Sequence, residues 1–259
     1  MPDPNSRCAT SQSSVETSAF ADVAPVSRRR GCLVVVDGFY RDPVAARRQA
    51  LELEYREHGR GRDGYTGLIA ELPGALGVTP MPAIAQALGL PLEFEPARQG
   101  TIRCITAGHY AEKVDAYPDG ARHLGWLHYD GFDWTGVLAL CPPELVRGTT
   151  TFWRHIGFEL DGFHDTRRVG EILRETGFGI EELVARIDSD FTDPDCWREV
   201  GRVAHAFNRL ILFRGEMFHV SSEGFGSTPQ DCKMTQNFFV DEAHDAAAVQ
   251  RAGYVRVVP

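Results

Sequence analysis

The feature that most restricts the fold is the series of short apolar runs after residue 101. TIRCITAG, DWTGVLALC, TTTFWRH, LILFR, MFHV and KMTQNFFV are rich in β-branched and aromatic residues and are separated by Gly, Pro or Asp-rich breaks. Runs of this length and composition read as strands, and many of them in succession predict a sandwich or jelly roll.

The rest of the chain reads as support for that core. Within its 259 residues, one domain with a polar tail is the simplest organisation. Residues 1–29 are rich in Ser, Thr, Ala and Pro and end in Arg28-Arg29-Arg30, which predicts a disordered or loosely attached tail. Residues 30–259 form the domain, with 30–100 as a supporting strand and helices and 101–242 as the core. Cys32–Val36 (CLVVV) suits a buried strand. Asp42-Pro43 offers an N-cap and a first-turn proline, followed by Val44, Arg47, Arg48, Leu51 and Tyr55 at helical spacing. A second helix is predicted from Thr79-Pro80 to just before Gly89. TRRVGEILRET and IEELVARID predict a helical insertion over about 165–205.

Charge and composition narrow the function. A net charge of −9 argues against nucleic acid as the main partner, because phosphate binding needs concentrated cations. No apolar run reaches the length of a membrane span, and MPDPNSRCATSQSS lacks a charged start followed by an apolar core, so neither a membrane nor secretion is expected. The six cysteines show no C-x-x-C pair or zinc-like spacing, which predicts reduced thiols and a cytoplasmic protein.

The chemistry centres on His128-Tyr129-Asp130 in GWLHYDGFDW, together with His219 in ILFRGEMFHVSS. In an extended strand, residues i and i+2 share a face, so His128 and Asp130 can reach one ion while Tyr129 turns away. Two imidazoles and one carboxylate are the ligand set of the facial triad, which binds iron(II) on one side and leaves positions open for oxygen chemistry. An isolated H-x-D is more often a surface turn or a hydrogen-bonded core histidine than a metal site, so its context decides.

That context is an ordered series: H-x-D, a G-x-T-x-F strand at Gly148–Phe152, the apolar strand LILFR, the distal His219, then Lys233-Met234-Thr235. The series resembles the iron(II) and 2-oxoglutarate-dependent dioxygenases, and in layout the prolyl 4-hydroxylase-like members. VVDGFYRDP, FWRHIGFE and FNRLILFRGEMFH are similar to a bacterial subgroup of largely unassigned activity. The resemblance spans roughly residues 31 to 241. It implies a mainly β fold with flanking helices around a double-stranded β-helix, a cupin-like jelly roll. It implies iron(II) on His128, Asp130 and His219, and 2-oxoglutarate anchored by Lys233 with a hydrogen bond from Thr235. Dioxygen would be the oxidant and ascorbate the reductant in vitro. The implied reaction hydroxylates a C–H bond of a small molecule, an amino acid or natural-product intermediate, releasing succinate and CO2. A metal-binding jelly roll without 2-oxoglutarate and a non-catalytic binding or sensor domain are the rival readings.

Lys233 also stands out by composition. It and Lys113 are the two lysines among 27 Lys and Arg residues. A slender point charge suits a narrow carboxylate pocket better than a bulky guanidinium. The interval from His219 to Lys233 is longer than the resemblance implies, so SEGFGSTPQDC must be accommodated, with Arg214 or Arg209 as the alternative anchor. Tyr117 with Gly120, or Tyr110, is a candidate cosubstrate contact. Trp126, Arg154 and Arg209 are candidate substrate residues, Phe132, Trp134 and Trp153 candidate pocket walls, and His155 the candidate substitute ligand.

Overall fold

A computed structural model describes residues 27–58, 67–72, 80–93, 101–115 and 127–243. Along them run β1 (Ser27–Arg30), β2 (Leu33–Asp37), α1 (Pro43–Leu51), β3 (Arg56–His58), β4 (Gly67–Ala70), α2 (Met81–Leu88), β5 (Leu92–Glu93), β6 (Thr101–Ile105), α3 (Ala107–Asp115), β7 (Trp134–Ala139), β8 (Thr149–His155), α4 (Thr166–Thr176), α5 (Ile180–Asp190), β9 (Trp197–Ala204), β10 (Arg209–Arg214), β11 (His219–Ser221) and β12 (Lys233–Glu242). A 3-10 turn at Pro194–Cys196 leads into β9.

Helix ends follow their local chemistry. The Asp42 side chain accepts from Ala45 N at 2.9 Å, and Pro43 opens α1, where its missing N–H costs nothing. Asp165 caps α4 through Arg168 N at 3.0 Å, and Gly177 ends that helix at φ 77°, a left-handed turn that favours glycine.

The strands form a jelly roll of two antiparallel sheets. The larger has nine strands in the order β1-β2-β10-β7-β12-β6-β4-β3, with β5 paired to the end of β12; the smaller is β11-β8-β9. From β7 onward the chain passes between them, as β7, β10 and β12 lie in the large sheet and β8, β9 and β11 in the small one.

Period-two alternation then divides the side chains into layers. Val34, Val36, Leu138, Leu210, Leu212, Met234 and Phe238 pack with Ile84 and Leu88 of α2 on one face of the large sheet. Val137, Ile211 and Phe213 on the other face pack with Phe152 and Val203 of the small sheet. A third cluster joins Val169 and Ile172 of α4 and Leu183 and Ile187 of α5 to Trp197 and Phe218.

Three expectations about elements change. Ser27–Arg30, the end of the expected tail, is an edge strand in full register with β2. The free backbone donors and acceptors of β2 accept such a partner whatever its side chains. The end of the expected helical insertion, Trp197–Ala204, is β9, which pairs along all of β8. Helix α3 was not foreseen. Cys104, Cys141, Cys196 and Cys232 are free thiols as expected, whereas Cys32 is disulfide-bonded. Among the described residues, no helix is long and apolar enough to cross a membrane.

The turn between β10 and β11 presses against the segment that follows the H-x-D triplet. A Cβ on Gly215 would lie 2.3 Å from Phe132 O and 3.2 Å from Thr135 Oγ1. Gly215→Ala is therefore expected to cost about 1–3 kcal/mol, as overpacking does, seen as a lower urea midpoint. Gly170→Ala in α4, where a Cβ meets nothing within 4 Å, is expected to gain about 0.5–1 kcal/mol.

Candidate metal centre

His128 and His219 form an isolated antiparallel bridge and exchange both backbone hydrogen bonds: His128 N donates to His219 O at 3.1 Å, and His219 N to His128 O at 2.9 Å. Directly opposed residues point to the same side, which brings the imidazole centroids to 4.3 Å. Asp130 joins them from two residues on, its N–H fixed to Gly215 O at 2.8 Å. Its Oδ1 lies 3.9 Å from His128 Nε2, and its Oδ2 lies 3.5 Å from His219 Nε2. One donor atom from each of the three side chains lies within 4.8 Å of the others. Side-chain exposure rises from 6% at His219 through 18% at Asp130 to 36% at His128, so the cluster has a closed side and an open one.

The surrounding contacts prepare these groups for a cation. His219 Nδ1 lies 2.8 Å from Met217 O; a carbonyl only accepts, so Nδ1 carries a hydrogen, and Nε2 is the nitrogen that faces Asp130. Thr135 Oγ1 donates to Asp130 Oδ2 at 2.6 Å, which fixes the carboxylate. Phe213 packs edge-on against His219 at 4.5 Å. Two imidazoles and one carboxylate suit a divalent transition metal such as iron(II), so the residues present fit that ion.

Lys233 opens β12 and is 1% exposed. Its ammonium donates to Ser221 Oγ at 2.7 Å and to the carbonyl of Ser222. Ser221 is two residues beyond His219 on β11, so it faces the same side. The long His219–Lys233 interval is thus accommodated: the intervening loop folds back on the end of β6, with Phe225 N bonded to Ile105 O and Ala107 N to Gly226 O. Thr235 shares the face of Lys233, and its hydroxyl donates to Asn237 Oδ1 at 2.9 Å. His205 completes this region, its Nε2 3.0 Å from Thr150 Oγ1.

Other candidates fall elsewhere. Arg154 is held in a two-pronged pair by Asp161, at 2.5 and 2.7 Å, with Glu159 alongside, and these carboxylates raise its pKa. Arg209 pairs with Asp37 and with Ala204 O. Arg214 pairs with Glu242 at 2.6 Å and stacks over Trp134. Salt bridging thus accounts for all three guanidiniums. Trp134 is core on the helix side and donates to Glu242, and Trp153 packs in the cluster with Phe218. Tyr110 lies on α3, and burial together with Glu223 raises its pKa. Tyr117, Gly120 and Trp126 lie outside the described residues. Thr135, Ser221 and His205 were missed. Thr135 is legible in retrospect as a hydroxyl on an otherwise apolar strand, and Ser221 as the i+2 neighbour of His219.

His155 lies outside the His128, Asp130 and His219 group. It belongs to a second donor group with Asp190 and Cys196. Its Nδ1 accepts from Phe158 N at 3.2 Å, so Nε2 carries the hydrogen and donates it to Asp190 Oδ2 at 3.1 Å. Both ring nitrogens are committed, which makes this a structural hydrogen bond.

No protein-family model and no curated protein sequence matches the chain. Among solved structures it is similar to the non-heme alpha-ketoglutarate-dependent carbocyclase SnoK from nogalamycin biosynthesis, at 14% identity and a TM-score of 0.45 over 88% of each chain. It is also similar to the epimerase SnoN of the same biosynthesis, at 17% identity and a TM-score of 0.42 over 82% of this chain and 78% of that one. HygX from Streptomyces hygroscopicus, with nickel and 2-oxoglutarate bound, matches at 13% identity and a TM-score of 0.39 over 86% of this chain and 91% of that one. A likeness of this size does not reach individual site residues.

Two buried histidines make stability depend on pH. Burial, then the Lys233 and Arg209 charges, lowers the pKa of His205 to about 3, and burial lowers that of His164 to about 4. Both stay neutral in the fold but take up protons near their ordinary 6.5 when unfolded. Below pH 6.5 the unfolded chain takes up protons that the fold refuses, so stability falls with pH, down to about 4 for His164 and about 3 for His205. The urea midpoint is expected to drop between pH 7 and pH 5. His205→Gln should flatten that drop; an unchanged slope would show that His205 is not its source.

Proposed function

We propose that the chain is a non-haem iron(II) and 2-oxoglutarate-dependent oxygenase that hydroxylates a C–H bond of a small molecule, an amino acid or natural-product intermediate, and releases succinate and CO2. The observation that carries this reading is the placement of the Lys233 ammonium beside Ser221, on the strand that also presents His219 toward His128 and Asp130.

His128, Asp130 and His219 would hold iron(II) through two nitrogens and one oxygen on one side, leaving the other side open to ligands. Lys233 and Ser221 would take the far carboxylate of 2-oxoglutarate. His219 and Ser221 are separated by two strand residues, about 6.7 Å, a spacing on the scale of a five-carbon dicarboxylate that meets the metal at its keto end. A buried ammonium neutralises a carboxylate through a short, charge-assisted hydrogen bond. Thr235 would add a hydrogen bond once its hydroxyl turns from Asn237. Val137 and Phe213 on the same face of the large sheet exclude water from the space above it. Bound iron(II) supplies the oxygen chemistry that couples decarboxylation of the keto acid to oxidation of the substrate, with dioxygen as oxidant and ascorbate as reductant in vitro. With Asp130 filling its place, no position is left for a halide ligand, so hydroxylation is the favoured outcome over halogenation. Desaturation and ring closure use the same site.

The test is anaerobic addition of iron(II) and 2-oxoglutarate, followed by succinate measurement across a metabolite panel in air. A visible charge-transfer band is expected in the wild type and none in His128→Ala. Lys233→Met should keep the iron but need about 30-fold more 2-oxoglutarate or higher, the scale of removing one partner of a buried charge pair. A wild-type protein without the band contradicts the reading, and iron binding with undiminished 2-oxoglutarate affinity in Lys233→Met would remove the cosubstrate assignment.

A further inference from the structure

The two oxygens of Asp130 are treated differently by their surroundings. Oδ1 lies 3.9 Å from His128 Nε2, and Oδ2 lies 3.5 Å from His219 Nε2. With one oxygen turned to each imidazole, the carboxylate presents its edge to the space between them, a stance from which it could grip an ion with both oxygens. Thr135 breaks that symmetry. Its hydroxyl donates to Oδ2 at 2.6 Å, a short charge-assisted bond, whereas among the described residues no donor reaches Oδ1.

The sheet places Thr135 for this contact. It is the hydroxyl residue of β7, 2% exposed, between its register partners Phe213 of β10 and Phe239 of β12. A hydroxyl buried among apolar side chains is costly unless it is paired, and Asp130 supplies the partner. The branched side chain is stiff at χ1, and Gly215 packs close to it, since a Cβ there would lie 3.2 Å from Thr135 Oγ1. The hydroxyl therefore has little freedom to follow the carboxylate if it turns.

The number of oxygens offered matters to the chemistry. Two imidazoles and one carboxylate oxygen leave three neighbouring positions of an octahedral ion open, two for the keto acid and one for dioxygen. A carboxylate gripping with both oxygens would leave two, and the keto acid fills those.

We propose that Thr135 is a positioning residue that reserves Oδ2, so that Asp130 meets the ion through Oδ1 alone and a position for dioxygen survives cosubstrate binding. This rests on the oxygenase reading above. An oxygen that already accepts a short bond has less charge to give to a metal, and Oδ1 is not engaged in that way.

The test compares the full chain, Thr135→Val and Thr135→Ser, each loaded anaerobically with iron(II). Valine keeps the branched shape and removes the donor. Diffraction from the loaded crystals shows which oxygens bond to iron, and anaerobic titration gives the iron(II) affinity. In the wild type, Oδ1 alone is expected at bonding distance, with Oδ2 still on Thr135. Thr135→Val should gain a second iron–oxygen bond through Oδ2, and Thr135→Ser should return to one. Because that second bond replaces the lost hydrogen bond, Thr135→Val should escape the roughly 10- to 100-fold loss of metal affinity that removing a merely orienting partner brings. A wild type bonded through Oδ2 or through both oxygens, a single iron–oxygen bond in Thr135→Val, or a loss of affinity on that scale would each overturn the proposal. The wild-type arm stands even if a variant fails to fold. Absence of iron from His128, Asp130 and His219 in the wild type fails the oxygenase reading itself and takes this proposal with it, whereas iron held there by both oxygens fails Thr135 alone.

Discussion

The site depends on one pair of backbone hydrogen bonds, the reciprocal exchange between His128 and His219. The two residues are far apart in sequence, and bringing such segments together costs chain entropy that local contacts cannot offset. That cost is met by the cores on either side: Phe213 and Phe152 between the sheets, and Phe218 and Leu127 toward the helices. The bridge then converts a loose approach into register. Because opposed residues face the same way, fixing the two backbones also fixes where the two imidazoles point. Asp130 follows from the same strand geometry, with Gly215 O and Thr135 Oγ1 each removing one of its freedoms.

The inter-sheet face of the large sheet shows how a jelly roll makes a polar pocket without losing its core. Alternation sends Met234, Gln236 and Phe238 to the helix side, where Gln236 accepts from the Tyr40 hydroxyl, while Lys233, Thr235, Asn237 and Phe239 face inward. A buried cation is tolerated there because Ser221 and Ser222 supply oxygen partners. The electrostatic effect spreads to His205, which stays neutral partly because Lys233 is charged. The ammonium thus sits against the small sheet, and the His219 imidazole lies edge-on to Phe213.

Much of this was legible in the sequence where one short period decides the answer. The strands LILFR and KMTQNFFV, the helix capped at Asp42, the helix TRRVGEILRET and the shared face of His128 and Asp130 all follow from local spacing. Long-range pairing was not legible. Arg209 looked available for substrate because its partner, Asp37, is 172 residues away, and Arg154 because Asp161 lies across a turn. WREVGRVA lacks a clean apolar alternation, since an edge strand of the small sheet has much of its surface in solvent, so its pattern does not separate β9 from the helical insertion before it. Ser27–Arg30 carries no strand composition, and its pairing with the edge of β2 is a backbone contact that composition does not signal.

The most direct measurement is anomalous X-ray diffraction at the iron edge from crystals grown anaerobically with iron(II) and 2-oxoglutarate. The account predicts one strong peak at bonding distance from His128 Nε2, His219 Nε2 and an Asp130 carboxylate oxygen, with the dicarboxylate running from that peak to Lys233. Iron at the His155, Asp190 and Cys196 group instead, or a dicarboxylate whose far end avoids Lys233, would contradict it.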